Sequence, residues 1–523
     1  CTALTSVSLN EGVAEIGDYA FLGDEALTGI TLPASVTKLG IGAFALCEKL
    51  DSVTLPASLT EIPDYAFYGA TSLVSMALPA TVTSIGKFAF FGAEKLAQLP
   101  FDNVTTIGDY AFVGTALTAL DADAVQSVGD YAFARTALTS VRLPAAMTIG
   151  AYAFAETKEL TSVSLDQVTE IGTGAFARAA KLTAISLPSC ETVGDLAFAY
   201  DDALTSVELP ALRTIGSYAI YHTKVSSISL PASLTYVAPN ALTTKAYNST
   251  DEALVWLNSI TLDSANERFF LDNGVLYQKL NDNAYLLVAY PSGKTDKTYT
   301  ILDKTVRIEA YAFSNNRNLE SVTIARTVKS IGAGAFYGCV SLSSMSFLSV
   351  GAPTLESQYS SAAVNGWSYS NFVYDFADAD KAPQLNITVP KNAAGYDSYL
   401  WTAYVGEVQR TEQNAMTDGT ASLNESIKNL PDNITLADAA TVDYLELMYN
   451  ATSADQKAFV ENYAKLRDAI ATVKRLRAEQ GGDTPMPEPT PDDPQDQKNS
   501  LPAYAIVLIV VGAVVVLAGA GAA

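Results

Sequence analysis

Leu4-Thr5-Ser6-Val7-Ser8-Leu9, followed by Ile16-Gly17-Asp18-Tyr19-Ala20-Phe21, is one copy of a motif written repeatedly along this chain. Its first half returns at Leu27, Leu50, Leu73, Leu96, Leu117, Leu138, Leu160, Leu182 and Leu204, in steps of 21 to 23 residues. So regular a period marks a solenoid, in which each repeat is a rung that buries its apolar side only against its neighbours. In the first half, apolar positions alternate around a polar one, as Ile30 and Leu32 do around Thr31, which is the period of a strand. In the second half Ile or Val precedes Gly, two variable residues and Ala-Phe. The glycine permits a tight turn or a close approach of backbones. The alanine suits an inner corner, and the phenylalanine fills the space between rungs. Stacking puts Phe21, Phe44, Phe67, Phe90, Phe112, Phe133, Phe154, Phe176 and Phe198 into one internal column. About thirteen rungs, roughly 4.8 Å apart, give a rod about 60 Å long.

The chain has 523 residues and a net charge of −24, which argues against nucleic acid as a partner. Cys1, Cys47 and Cys339 each stand three residues before a strand leucine and read as small buried fillers. Cys1 and Cys47 are two rungs apart, beyond the reach of a disulfide. Cys190 is off this register, and no Cys-x-x-Cys or Cys/His cluster suggests a metal or redox site. Residue 1 falls inside a repeat, so the chain reads as a fragment of a longer protein with no evident signal peptide.

The Leu-Thr-Ser-Val-x-Leu and Ile-Gly-x-x-Ala-Phe pair resembles the BspA-type leucine-rich repeats over roughly residues 1–405. The resemblance implies a right-handed, curved, β-rich leucine-rich-repeat solenoid on cell-surface proteins that adhere to host or neighbouring cells. The solenoid is expected over residues 1–348, in repeats of about 22–23 residues. One interruption breaks it: Asn273-Gly274 lies between the apolar runs Phe269-Phe270-Leu271 and Val275-Leu276-Tyr277, so residues 268–290 read as an inserted β-hairpin. Such inserts are common in the family it resembles. Residues 349–410 read as an irregular segment, rich in Ser, Tyr and Asn to 386, followed by a terminal rung around Ile387, Tyr399 and Trp401.

Residues 415–480 are rich in helix formers, and a three-helix spacer module is expected at about 421–430, 436–450 and 453–479, the last broken near Asn462. Ser453-Ala454-Asp455-Gln456 has a capping-box pattern. Leu430-Pro431-Asp432-Asn433-Ile434-Thr435-Leu436 resembles small helical modules of Gram-positive surface proteins. Residues 481–500 carry Pro485, Pro487, Pro489, Pro491 and Pro494 among acidic and polar residues, an extended linker. Residues 503–523 hold no charge and would span about 31 Å as a helix, which predicts a single transmembrane anchor. Leu501-Pro502-Ala503-Tyr504-Ala505 lacks the Thr and Gly of a wall-sorting signal.

No catalytic, metal or cofactor constellation emerges, and the chain reads as a non-enzyme. His222 is the one histidine and reads as a surface residue. Asp18, Asp64, Asp109, Asp130 and Asp195 recur before the aromatic position, but Lys87, Ala151, Thr173 and Ser217 fill that position elsewhere. That pattern suits turn or capping roles better than a calcium ladder, which needs converging oxygens. Tyr19, Tyr65, Phe88, Tyr110, Tyr131, Tyr152 and Tyr218 read as packing at a rung corner, with hydroxyl ends available outside. The exposed strand positions form a hydroxyl face, and Thr139, Ser140, Thr161, Ser162, Thr205, Ser206, Ser226 and Ser227 are its candidate binding residues. Two readings of that face stand together. Threonine simply suits a half-exposed strand, or the face binds a protein or glycan of a host or neighbouring cell. The sequence therefore points to a membrane-anchored adhesin or interaction scaffold. The alternatives are the stalk of a surface enzyme and a self-associating structural protein.

Overall fold

The computed structural model describes residues 3–245, 255–356, 385–398, 401, 405–411 and 416–479. Cys1, Tyr399, most of the 349–386 break, the linker and the apolar run 503–523 lie outside them. No helix among the described residues is long and apolar enough to cross a membrane. Contacts divide the chain into two units, residues 1–417 and 418–523.

The first unit is a β-solenoid of about 16 turns. The Ile-Gly half of each motif forms a two-residue strand, and nine of these, from Glu61–Ile62 to Tyr236–Val237, make one parallel sheet. Ile62, Ile85, Ile107, Val128, Ile149, Ile171, Val193, Ile215 and Val237 face one another in succession. A slip of one residue would turn this whole column outward, so burial fixes the register. The Leu-Thr-Ser half forms three-residue strands, such as Ser140–Arg142 between Ala119–Asp121 and Ser162–Ser164.

The phenylalanine column is continuous. From Phe21 to Phe198 each ring stacks on the next with centroids 5.0–6.0 Å apart and planes within 17°. Phe44 through Phe198 are fully buried. Ile220 ends the column, and Phe313 and Phe336 form a second short stack at 4.7 Å.

The backbone of the Tyr-Ala-Phe corner departs from expectation. The positive φ falls on the aromatic residue, not on the preceding glycine: Tyr19, Tyr65, Phe88, Tyr110, Tyr131, Tyr152 and Tyr218 lie between 55° and 58°. A second such position follows four residues later, at Gly23, Gly69, Gly92 and Gly114 among others. These two reversals let successive peptides point alternately between rungs and within one. Tyr131, Phe133 and Arg135 donate their N–H to Ala151, Ala153 and Ala155 of the next rung, while Ala132 and Ala134 donate back to Gly129 and Tyr131. A non-glycine residue in this conformation costs about 1–2 kcal/mol, repeated on nearly every rung and offset by the ladder it completes. The glycine after Ile instead allows two backbones to meet: a Cβ on Gly150 would lie 2.6 Å from Gly129 C and 2.7 Å from Asp130 N.

Beside the phenylalanines runs a second interior column of small residues. Thr115, Thr136, Thr157 and Thr223 each donate their hydroxyl to the carbonyl three residues before them. Cys47 and Cys339 are buried free thiols, each with its sulfur 3.1 Å from a carbonyl of the preceding rung. Burial pushes both thiols up, Cys47 to about 11 and Cys339 to about 12, so they are inert fillers at neutral pH. Asp201 occupies the same column and is fully buried. Its Oδ1 accepts the Ala179 N–H at 2.8 Å, while Oδ2 has no partner. Burial lifts its carboxyl well above the usual range. Asp201→Thr should therefore raise stability at pH 7 by about 1–3 kcal/mol. Ala179 keeps a second acceptor in Phe176 O. A raised acid pKa means the folded state binds more protons, so the cost of Asp201 grows as pH climbs above the unfolded value near ~4. Thermal melts of both proteins at pH 7 and pH 4 should show the gain shrinking at the lower pH.

The insert is not an appendage. Phe269–Asp272 and Val275–Asn281 form the hairpin, and Ala284–Ala289 runs antiparallel to the second strand but parallel to Thr305–Ile308. The sheet then continues through Ser330–Ile331 and Thr354–Leu355. Leu276 joins the core of the first stack, whereas its neighbours Val275 and Tyr277 join that of the second. One strand thus serves as a wall between two cores, because successive side chains leave a strand on opposite faces. Nor does the solenoid stop at residue 348. Leu385–Val389 pairs with Ser344–Phe347, and Val405–Arg410 pairs with Leu385–Val389. Burial of Leu385, Ile387 and Val389 meets the strand requirement without the Leu-Thr-Ser spelling. Tyr396 and Trp401 pack against Phe347 to cover this part of the core.

The second unit contains helices Asp418–Lys428, Ala439–Ala451 and Tyr463–Glu479 and the single turn Ala454–Lys457. Leu423, Ile427, Val442, Leu445, Leu466 and Val473 form its core. Asn462 has a positive φ at the start of the long helix. The Ser453 capping box does not form: Gln456 is buried and accepts a bond from Thr420. The basic residues of the last helix bind across it, Arg477 to Asp443 and Lys474 to Glu446.

Candidate interaction surface

The strand face gathers the residues singled out from the sequence into one column. Thr139, Thr161, Ser162, Thr205 and Ser227 are exposed, and Ser140, Ser206 and Ser226 half-buried. Ser140 lies opposite Ser162, Ser206 opposite Ala184, and Ser227 opposite Ser259. Thr118 and Thr183 belong to the same column and are exposed. Thr183 escapes a search for paired hydroxyls because Ala184 follows it.

The threonine hydroxyls are committed. Thr139 Oγ1 donates to Thr118 O at 2.9 Å, Thr161 Oγ1 to Thr139 O at 3.0 Å, and Thr205 Oγ1 to Thr183 O at 3.0 Å. Each of those carbonyls also accepts the same threonine's backbone N–H. One function of the column is therefore to tie rung to rung. What it leaves for a partner is hydroxyl lone pairs and methyl groups, alongside serine hydroxyls. Rung-to-rung ion pairs border the face, among them Arg142 with Asp121 and Asp123 and Lys181 with Glu159. Such exposed pairs contribute little individually.

The aspartate column is also structural. Oδ1 of Asp18, Asp64, Asp109, Asp130 and Asp195 accepts the N–H of Ile41, Lys87, Asp130, Ala151 and Ser217 on the following rung, at 2.7–3.0 Å. No cluster of three His, Cys, Asp or Glu side chains suited to a metal occurs among the described residues. Asp130→Ala should cost about 1 kcal/mol and Asp130→Asn much less, since Asn keeps the acceptor. Millimolar calcium should leave the melting temperature of both unchanged.

The aromatic corner residues form their own ladder. Tyr65, Phe88, Tyr110, Tyr131 and Tyr152 stack with centroids 4.7–4.9 Å apart. Their faces are occupied by one another, so they present edges and hydroxyls outward. His222 sits at the surface with Nδ1 3.0 Å from Asp202 Oδ1.

The repeat itself settles the family. Residues 1–119, 126–248 and 293–362 match the model of the BspA type leucine rich repeat region, more than half of the chain. The chain belongs to this BspA-type family. No curated protein matches it. Solved structures similar to it include a leucine rich cell surface protein from Faecalibacterium prausnitzii, 22% identical, covering 78% of this chain and 93% of that one with a TM-score of 0.38. A leucine-rich repeat protein from Bacteroides ovatus is 21% identical over 76% of this chain and 88% of its own, with a TM-score of 0.39. The pneumococcal vaccine antigen PcpA is 16% identical over 78% and 84%, with a TM-score of 0.28. In BspA-type terms, the Leu, Ile, Gly, Ala and Phe columns build the stack, and the strand positions between them are open to variation.

Proposed function

We propose that this BspA-type chain is a cell-surface interaction scaffold that adheres to a protein or glycan of a host or neighbouring cell. The observation that carries the reading is the strand face: consecutive rungs from Thr118 to Ser227 present hydroxyl oxygens, methyls and little charge. Binding spreads over several rungs, as extended solenoid surfaces favour, and a partner supplies hydrogen-bond donors to the threonine lone pairs. The charge-free run 503–523 behind a proline-rich linker supports a membrane anchor that holds the scaffold away from the cell. The test is to probe the intact protein, held in detergent micelles, against arrays of glycans and of extracellular-matrix and cell-surface proteins. Saturable binding to a member of either array is expected. Absence of binding to every member would remove the adhesin reading.

A further inference from the structure

The second positive-φ position of each rung changes character along the solenoid. Gly23, Gly69, Gly92, Gly114 and Gly338 hold it with φ of 68–74°. Five successive rungs instead place Arg135, Glu156, Arg178, Tyr200 and His222 there, at 59–67°. Glycine is the residue this conformation favours, and the same fold uses it on either side. Large functional side chains are thus held in an unfavourable backbone state over one continuous stretch, the kind of outlier that points to a site.

These side chains interlock. Arg135 Nη2 lies 3.2 Å from Glu156 Oε1. The Arg178 guanidinium stands 4.8 Å from the centre of the Tyr200 ring, and His222 lies 4.9 Å from that ring's other neighbour side in the column. His222 is in turn held by Asp202. The strip stays accessible: the Arg135, Glu156 and Asp202 side chains are 67%, 36% and 55% exposed. Ala134, Ala155, Ala177 and Ala199 precede its first four members, at the position where two earlier rungs carry Tyr68 and Phe91. Bulk is therefore absent beside the strip.

We infer that Arg135, Glu156, Arg178, Tyr200, His222 and Asp202 form a second recognition strip, separate from the hydroxyl strand face, that takes a linear uncharged glycan. Five rungs at roughly 4.8 Å make a strip of about 19 Å, suited to a chain rather than a single sugar. Guanidinium and carboxylate groups present paired donors and paired acceptors that match adjacent sugar hydroxyls. Positive and negative groups alternate and hold one another, so the strip is preorganised and offers no net charge to select an ionic ligand. It lacks the buried aliphatic anchor that dominates protein interfaces.

The test uses the intact protein with Glu156→Gly and Arg178→Gly, singly and together, against an array of linear neutral and acidic polysaccharides and of matrix proteins. Glycine removes the side chain and relieves the backbone, so melting temperatures should hold or rise. The parent should bind neutral linear glycans, and the double variant should bind them at least tenfold more weakly. A strand-face variant, Thr161→Lys with Thr183→Lys, should keep that glycan binding, which separates this strip from the adhesive face. Unchanged glycan affinity in the double variant would overturn the inference. So would a parent protein that binds only acidic glycans, only proteins, or neutral glycans solely through the strand face.

Discussion

Phe154→Ala should cost about 4 kcal/mol, more than any other single truncation proposed for this chain. The ring is fully buried and stacked on Phe133 at 5.5 Å and Phe176 at 5.3 Å. Its removal loses two aromatic contacts and leaves a cavity that flanking rungs cannot close without breaking their ladders. Those ladders are short and direct: Phe133 N–H donates to Ala153 O at 2.8 Å, and Phe154 N–H to Ala175 O at 2.7 Å. A solenoid's stability is close to a sum of rung and neighbour terms, so the damage should appear as local opening around the lesion. Denaturant unfolding measures the loss, and amide hydrogen exchange should show protection falling most between residues 131 and 177. Uniform loss across residues 3–356 would mean that the stack unfolds only as a whole.

Gly150→Ala adds one methyl group and should still cost about 3 kcal/mol, the upper end for overpacking. The new Cβ would meet Gly129 C at 2.6 Å and both Asp130 N and Oδ1 at 2.7 Å. Two of those atoms are backbone and cannot rotate away, so neighbouring rungs must separate. Gly17 stands at the equivalent place in the first described rung, where a Cβ meets nothing within 4 Å. Gly17→Ala should therefore be neutral or slightly stabilising through the unfolded chain. Thermal melts of the two variants make the comparison. Equal effects would show that the glycine requirement is conformational and not a matter of rung spacing.

The columns that build the stack are legible in the sequence because each rung respells them. Ile149 or Phe154 can be placed without coordinates, since a parallel stack puts like above like. The corner is harder to read. Positive φ is ordinarily a glycine signature, and Gly150 invites that assignment, yet Tyr152 adopts it. The clue lies within the aromatic column itself, where Gly42, Gly174 and Gly334 stand in for Tyr or Phe with φ near 60°. The end of the solenoid is misplaced at 348 because Leu385–Val389 keeps the apolar alternation of a strand while abandoning the wording of the motif. The hydroxyl face is visible as a pattern, but not as a bonding arrangement. Whether Thr161 Oγ1 faces solvent or the Thr139 carbonyl depends on its rotamer and on rung spacing, neither of which the sequence spells.

The constant residues thus serve the stack, and recognition falls to the positions that vary. The most direct test is the affinity of the intact protein, for whichever array partner it binds outside the neutral linear glycans, after Thr161→Lys, Thr183→Lys and Thr205→Lys are combined. These residues are exposed, so the melting temperature should change little. The account predicts at least a tenfold loss of affinity in a folded protein. Parent-like affinity in that folded variant would contradict it.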